Sequence, residues 1–276
     1  MFENVIGNTK QKELLQNSIR SNTVSHAYLF CGIKGCGKAL LAKEFAKVLL
    51  NTNNLDTCLD YKYICRDEDK KDLSVEKIRK EIIEDIYIAP VMSDSKVYII
   101  DDGQYLNTAA QNALLKTLEE PPKYVHIIII SDRESNFLPT IMSRVNKIKF
   151  FGTGDDELRL YIKRMYNKEL DDNLIKYISG SIGLATDIII NNKFETYNHV
   201  YDLYNDIIKK DIIGAMKKSQ DVFDDKQMLK YLEFLLYNNG NYLLVKFVEK
   251  AFIRLKNNGN YDIVIDNMIL NMIKNI

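Results

Sequence analysis

Residues 27–39 read AYLFCGIKGCGKA: five apolar residues in an unbroken run, then a glycine-rich loop that closes on a lysine. A run without polar alternation is what a strand buried on both faces of a parallel sheet requires. The loop fits the pattern G-x-x-x-x-G-K, whose glycines let backbone N–H groups turn toward phosphate oxygens while the lysine brings charge to the outer phosphates at a helix start. Gly32, Gly35, Gly37 and Lys38 are therefore candidate nucleotide-binding residues. A plain glycine-rich turn is the simpler alternative, and the lysine in register argues against it. Where such loops carry a Ser or Thr that ligates Mg²⁺, this chain has Ala39, so metal-dependent phosphoryl transfer should suffer.

Outward from the loop, the first half alternates apolar runs with helical patterns, as a parallel α/β sheet demands. Further strands are expected at 97–100 (VYII), 127–130 (IIII) and 148–151 (IKFF). Helices are expected at 38–50, 74–88 and 108–120, the last stopped by Pro121 and Pro122. The run at 97–100 opens onto Asp101, where P-loop ATPases place a second metal-binding acid, and Asp101 can still hold a hydrated Mg²⁺. Next comes Asp102, at the position of a glutamate that orients the attacking water in hydrolysing members; its side chain is shorter by one C–C bond, about 1.5 Å. Two aspartates leaving a strand are otherwise an ordinary solvated exit. Together with Ala39 they point to a site that can take ADP or ATP through Lys38 and the backbone without turning it over.

Beyond residue 151, GTGDDE (152–157) joins flexible glycines to an acidic helix start, the pattern of a hinge. Helical segments at 158–166 and 174–178 end near SGSIGLA (179–185), and Asn191 with Asn192 marks a second linker. Thereafter 228–237, 242–255 and 263–273 repeat apolar residues at three- and four-residue spacing, as amphipathic helices do.

A chain of 276 residues exceeds what one core usually fills, and 46% hydrophobic with 28% charged residues is an ordinary globular balance. Lys plus Arg (38) equals Asp plus Glu (38), so no basic field advertises nucleic acid and any DNA contact must be local or shared. No window approaches the roughly 18 apolar residues of a membrane span, and Met1 opens no signal-like segment; a cytoplasmic protein with no membrane partner is predicted. Cys31, Cys36, Cys58 and Cys65 are read as reduced thiols.

Several stretches together resemble the bacterial clamp-loader family of AAA+ proteins. Residues 2–7 (FENVIG) look like its opening segment, which implies that Val5 and Ile6 line an adenine pocket, and 25–30 (SHAYLF) look like its first strand. The most specific piece is AAQNALLKTLEEPP (109–122), at the family spacing after Asp101. FLPTIMSRV (137–145) is similar to the family's Ser-Arg-Cys segment, with Val145 at the cysteine position. The resemblance implies that Arg144, with Ser143, reaches into the ATP site of a neighbouring subunit, where a planar guanidinium neutralises charge on the transferred phosphate. Leu184 stands where hydrolysing subunits carry a nucleotide-sensing arginine. Family members also commonly hold zinc through four cysteines; Cys58 and Cys65 alone fall short, so zinc is not expected and no metal site is assigned.

The expectation is thus an α/β AAA+ P-loop domain with a parallel sheet (1–151), a small helical lid domain (152–192) and an all-α C-terminal collar domain (193–276). The resemblance covers about residues 1–190 and is architectural beyond. It implies a subunit with no independent ATPase and no required cofactor, working with clamp-loader subunits of the delta and gamma/tau kinds. Through them it would meet the sliding clamp and primer-template DNA. An ATP-hydrolysing subunit of the gamma/tau type is the alternative, supported by Lys38 and Asp101 and opposed by Ala39, Asp102 and Leu184. A small-molecule kinase would need an arginine-rich lid after the loop, and none follows.

Overall fold

The computed structural model describes residues 1–67, 69–219 and 226–276, without the side chain of Lys226. By internal contacts these residues form two units, Met1–Leu158 with Gly180–Gly183, and Arg159–Ser179 with Leu184–Ile276.

The first unit contains α1 (Thr9–Arg20), β1 (Ala27–Cys31), α2 (Lys38–Leu49), β2 (Tyr61–Ile64) and α3 (Val75–Ile78), which runs on into a π-helical turn at Arg79–Ile83. Then follow β3 (Lys96–Ile100), a 3-10 turn at Gly103–Tyr105, α4 (Thr108–Glu119), β4 (Val125–Ser131), α5 (Pro139–Met142) and β5 (Asn146–Lys149). The five strands form one sheet in the order β2-β3-β4-β1-β5, parallel throughout. Alternate residues of one strand feed opposite cores. Leu29, Ile100, Ile127 and Ile129 meet Ile78, Ile82, Leu114 and Leu118 on one face; Tyr28, Phe30, Ile99 and Ile128 meet Leu41, Phe45 and Ala46 on the other. Two apolar faces explain why β1 and β3 carry no polar alternation.

The central strands and α2 and α4 lie where the sequence places them, within two residues. β5 begins at Asn146, two residues ahead of the expected 148, because it is an edge strand in which only Ile148 is buried. The other edge, β2, and helix α1 carried no readable pattern: β2 is half-buried over most of its length, and α1 buries only Leu15 completely. The helix expected over 74–88 is broken. Ser74 caps its first turn by accepting from the Lys77 N–H, but the chain has left helix by Asp85. The Asp85 carboxylate there binds Lys96 Nζ at 3.2 Å and accepts from Tyr98 Oη at 2.6 Å.

α6 (Asp155–Tyr166) and α8 (Ile182–Ile190) begin in the first unit and continue into the second, which also holds α7 (Asp172–Ile178), α9 (Phe194–Ile208), α10 (Ile212–Ser219), α11 (Lys226–Asn238), α12 (Tyr242–Lys256) and α13 (Tyr261–Lys274). SGSIGLA, expected to end a helical unit, instead starts α8. Tyr177 of α7 meets Tyr197 of α9 at 5.9 Å and Tyr231 of α11 at 4.9 Å between ring centroids, and Tyr197 meets Tyr231 at 5.0 Å. This aromatic cluster gives helices on both sides of Asn192 a common core. No helix among the described residues is long and apolar enough to cross a membrane.

Candidate functional site

The glycine-rich loop leaves the carboxyl end of β1, the edge at which open parallel sheets take ligands. Gly35 (φ +79°) and Gly37 (φ +92°) adopt left-handed backbone, which reverses the chain onto α2 without steric penalty. Space is closed at Gly35 as well: Ser181 Oγ lies 2.1 Å from where a Cβ would stand. The Gly183 N–H donates to the Gly35 carbonyl at 2.9 Å. At Gly32, a Cβ would stand 2.4 Å from the Phe150 carbonyl oxygen. Lys38 is only 8% exposed, and its Nζ donates back to the carbonyls of Gly32 (2.6 Å) and Ile33 (2.7 Å). These acceptors satisfy an ammonium that would otherwise be buried unpaired. The N–H groups of Lys34, Gly35 and Gly37 make no hydrogen bond among the described residues and are donors available to an anion. Burial pushes the Cys36 thiol up, against the opposing charge of Lys38.

The opening segment lies against this loop. Val5 is buried, and its Cγ1 is 3.7 Å from the Cβ position of Gly37. Asn8 staples the two together, donating from Nδ2 to the Cys36 carbonyl at 3.2 Å and to the Phe151 carbonyl at 3.1 Å. Ile6 is half-buried.

Asp101 follows β3 at the same sheet edge. Its carboxylate has two protein donors. Tyr63 Oη of β2 donates to Oδ2, and the Asp102 N–H donates to Oδ1 at 2.7 Å. Asp102 itself takes left-handed backbone (φ 58°), and its Oδ1 accepts from Gln104 Nε2 at 3.2 Å. Mg²⁺ demands several oxygen ligands in a near-octahedral set. A methyl at Ala39 and carboxylates already engaged at Asp101 and Asp102 do not fit that demand.

Arg144 occupies the opposite edge. Asn146 pairs with Tyr28 in the parallel register, so Arg144 lies beyond the amino end of β1, while the loop leaves its carboxyl end. Tyr28 and Gly32 are separated by four residues of extended chain, about 13 Å, farther than an arginine side chain reaches. Arg144 Nη2 pairs with Glu119 Oε1 of α4 at 2.7 Å. Its Nη1 donates to the Thr140 carbonyl at 2.8 Å and to Ser143 Oγ at 3.1 Å. Both members of the ion pair are substantially solvated.

Three residues that sequence reasoning did not single out shape these edges. Gln111, 3% exposed, donates to the carbonyls of Leu106 (3.0 Å) and Asn136 (2.9 Å) and accepts from the Leu138 N–H at 2.8 Å. It fastens to α4 the segment that leads into α5 and Arg144. Glu119 pairs the arginine directly. A buried amide on an otherwise apolar helix face was a usable signal for Gln111; Tyr63 offered none, because its strand was unread. Cys58 and Cys65 stand before and after β2, about 13 Å of strand apart. Among the described residues no group of three or more His, Cys, Asp or Glu side chains could hold a metal ion.

Known proteins share the sequence and fold of this chain in part. DNA polymerase III subunit gamma of Buchnera aphidicola subsp. Acyrthosiphon pisum (strain APS) is 32% identical over 185 residues, covering 62% of this chain and 51% of that protein. DNA polymerase III subunit tau of Bacillus subtilis (strain 168) is 32% identical over 239 residues, 79% of this chain and 41% of that protein. The chain thus spans about half the length, or less, of these curated relatives. A DNA polymerase III gamma subunit-related protein from Thermotoga maritima has the same overall fold, with a TM-score of 0.58 and 18% identity over 94% of this chain and 98% of that one. A family model described as DNA polymerase III, delta subunit, matches residues 7–153. That match takes in both the phosphate loop and the Arg144 segment and exceeds half of the chain, which therefore belongs to this DNA polymerase III clamp-loader family.

Proposed function

We propose that the chain acts as the delta prime subunit of a DNA polymerase III clamp loader, a non-hydrolysing AAA+ subunit that supplies Arg144 to the ATP site of its neighbour. The observation that carries this reading is the division of the sheet. One edge keeps a phosphate loop beside carboxylates that already accept protein hydrogen bonds, and the other presents an arginine that cannot reach that loop. Planarity and a permanent charge suit a guanidinium to a transferred phosphate, and such a finger works in trans through position alone. The assembled loader, with delta and gamma/tau subunits, would open the sliding clamp on primed DNA; this chain's part is to complete a neighbour's site and hold its place in the ring. Leu184, in place of a sensing arginine, fits a subunit that does not report on nucleotide.

A second reading, an ATP-hydrolysing subunit of the gamma/tau type, draws support from relatives named gamma and tau. Turnover by the isolated chain separates the two. The expected outcome is no ATP hydrolysis above a Lys38→Ala control. Hydrolysis that Lys38→Ala abolishes would establish the second reading.

A further inference from the structure

Asp101 is the group in this site best placed to receive a divalent cation, and it is occupied from both sides. A charge-assisted O–H···O⁻ bond is among the stronger hydrogen bonds a carboxylate accepts. Tyr63 makes that bond to Oδ2, while the Asp102 N–H takes Oδ1 at 2.7 Å. Register fixes the tyrosine there: Tyr63 pairs with Ile99 and Ile64 with Ile100 on adjacent parallel strands, and the Asp101 N–H donates to the Ile64 carbonyl at 2.8 Å. A second feature guards the same place. Lys43 of α2 sets its Nζ 4.5 Å from the centroid of the Tyr63 ring, an attraction between ammonium and ring face that helps hold the phenol where it is. A metal ion approaching Asp101 meets a phenol, held by strand register and by Lys43, that must be displaced.

We propose that Tyr63 closes the metal position of this site, so that the nucleoside phosphate taken by the loop is held by Lys38 and the loop N–H groups without a divalent cation. The inference rests on the reading of the loop as a non-hydrolysing nucleotide site and extends it from loss of a ligand at Ala39 to active occupation of Asp101. The ligand class follows from the donors: a di- or triphosphate whose charge is met by one ammonium and backbone dipoles.

The test uses the full chain, ADP and Mn²⁺. ADP affinity is measured in EDTA and in Mg²⁺, and broadening of the Asp102 amide resonance by Mn²⁺ reports a metal at Asp101. For the wild-type chain the expected result is equal ADP affinity in the two buffers and no Asp101-dependent broadening, with Asp101→Asn as the reference. Tyr63→Phe removes only the hydroxyl; it should let Mn²⁺ broaden Asp102 and raise ADP affinity in Mg²⁺ over EDTA by about tenfold, the order of one hydrogen bond to a charged group. Broadening in the wild type that Asp101→Asn abolishes overturns the proposal. So does a Tyr63→Phe chain that shows no gain, which would leave Ala39 as the whole cause. Failure of ADP to bind in either buffer overturns the metal-free ligand and says nothing against Arg144, whose role is read on a neighbour's turnover.

Discussion

The two edges of one parallel sheet hold their functional groups in opposite ways. At the carboxyl edge the three candidate site groups are already engaged by the protein: Lys38 by its own loop's carbonyls, Asp101 by Tyr63, Asp102 by Gln104. At the amino edge Arg144 is held by half-exposed Glu119 and a backbone carbonyl. A solvated ion pair contributes about 0–1 kcal/mol, so a phosphate can outbid it. The partly buried contacts at the first edge cost more to exchange, and at Lys38 a nucleoside phosphate must replace the loop carbonyls with its own oxygens. The contrast teaches that charge alone does not mark a working site; how weakly the charge is already engaged matters more.

The comparison breaks most visibly at Arg144. Its replacement by alanine in a reconstituted loader should lower ATP turnover at the adjacent site by about 10³-fold, the lower end for removal of an arginine finger. The isolated chain should meanwhile unfold within about 1 kcal/mol of wild type, because the lost ion pair is solvated. Steady-state turnover and thermal unfolding check the two halves, and unchanged turnover would reduce Arg144 to a fold contact.

A smaller effect tests what keeps the amino edge rigid. Lys96 is buried at the start of β3 and has Asp85 as its carboxylate partner, a group that also accepts from Tyr98 and lies 3.4 Å from Lys62 Nζ. Asp85→Asn leaves that ammonium without a counter-charge. Because Asp85 is partly solvated, the loss should be about 2–3 kcal/mol, below the full penalty for breaking a buried pair. Burial on its own would raise the Asp85 pKa, but the bonds from Tyr98 and Lys96 and the charge of Lys62 outweigh it and hold the carboxyl below its usual range. A depressed folded-state pKa stabilises above the unfolded value and is lost as pH falls through the folded one. The wild-type chain should therefore lose this contribution only below about pH 4, whereas Asp85→Asn lacks it at neutral pH. Denaturant titrations should separate the two proteins at pH 7 and bring them together as pH falls through the depressed folded-state pKa of Asp85.

What the residues disclosed, and what they hid, follows from where burial imposes a pattern. AYLFC, VYII and IIII are central strands with two apolar faces, and they announce themselves. Residues 109–122 announced a family, but only the structure gives Gln111 and Glu119 their local tasks. Edge strands are half-solvated, so YKYI passed as irregular chain and took Tyr63 with it. The consequence fell on the site: Asp101 looked free because its partner comes from a strand with no signal, nearly forty residues earlier. Pairings across a sheet are set by register, which no local window encodes.

The finest distinction concerns Glu119. If its task is to hold Arg144 until a phosphate displaces it, Glu119→Gln should leave a hydrogen-bond acceptor but remove the competing charge. Stability of the chain should then change by less than about 1 kcal/mol. The neighbour's ATP affinity should rise by about twofold, since the guanidinium no longer leaves an anion to meet the phosphate. If Glu119 instead aims the guanidinium, the same substitution lowers kcat and leaves KM alone, because only the transition-state contact is lost. Arg144→Lys separates these further. A lysine keeps the charge but not the fork that can pair Glu119 through one nitrogen and Thr140 through another, so an aiming role predicts a loss close to that of alanine, whereas a simple charge reservoir predicts partial rescue.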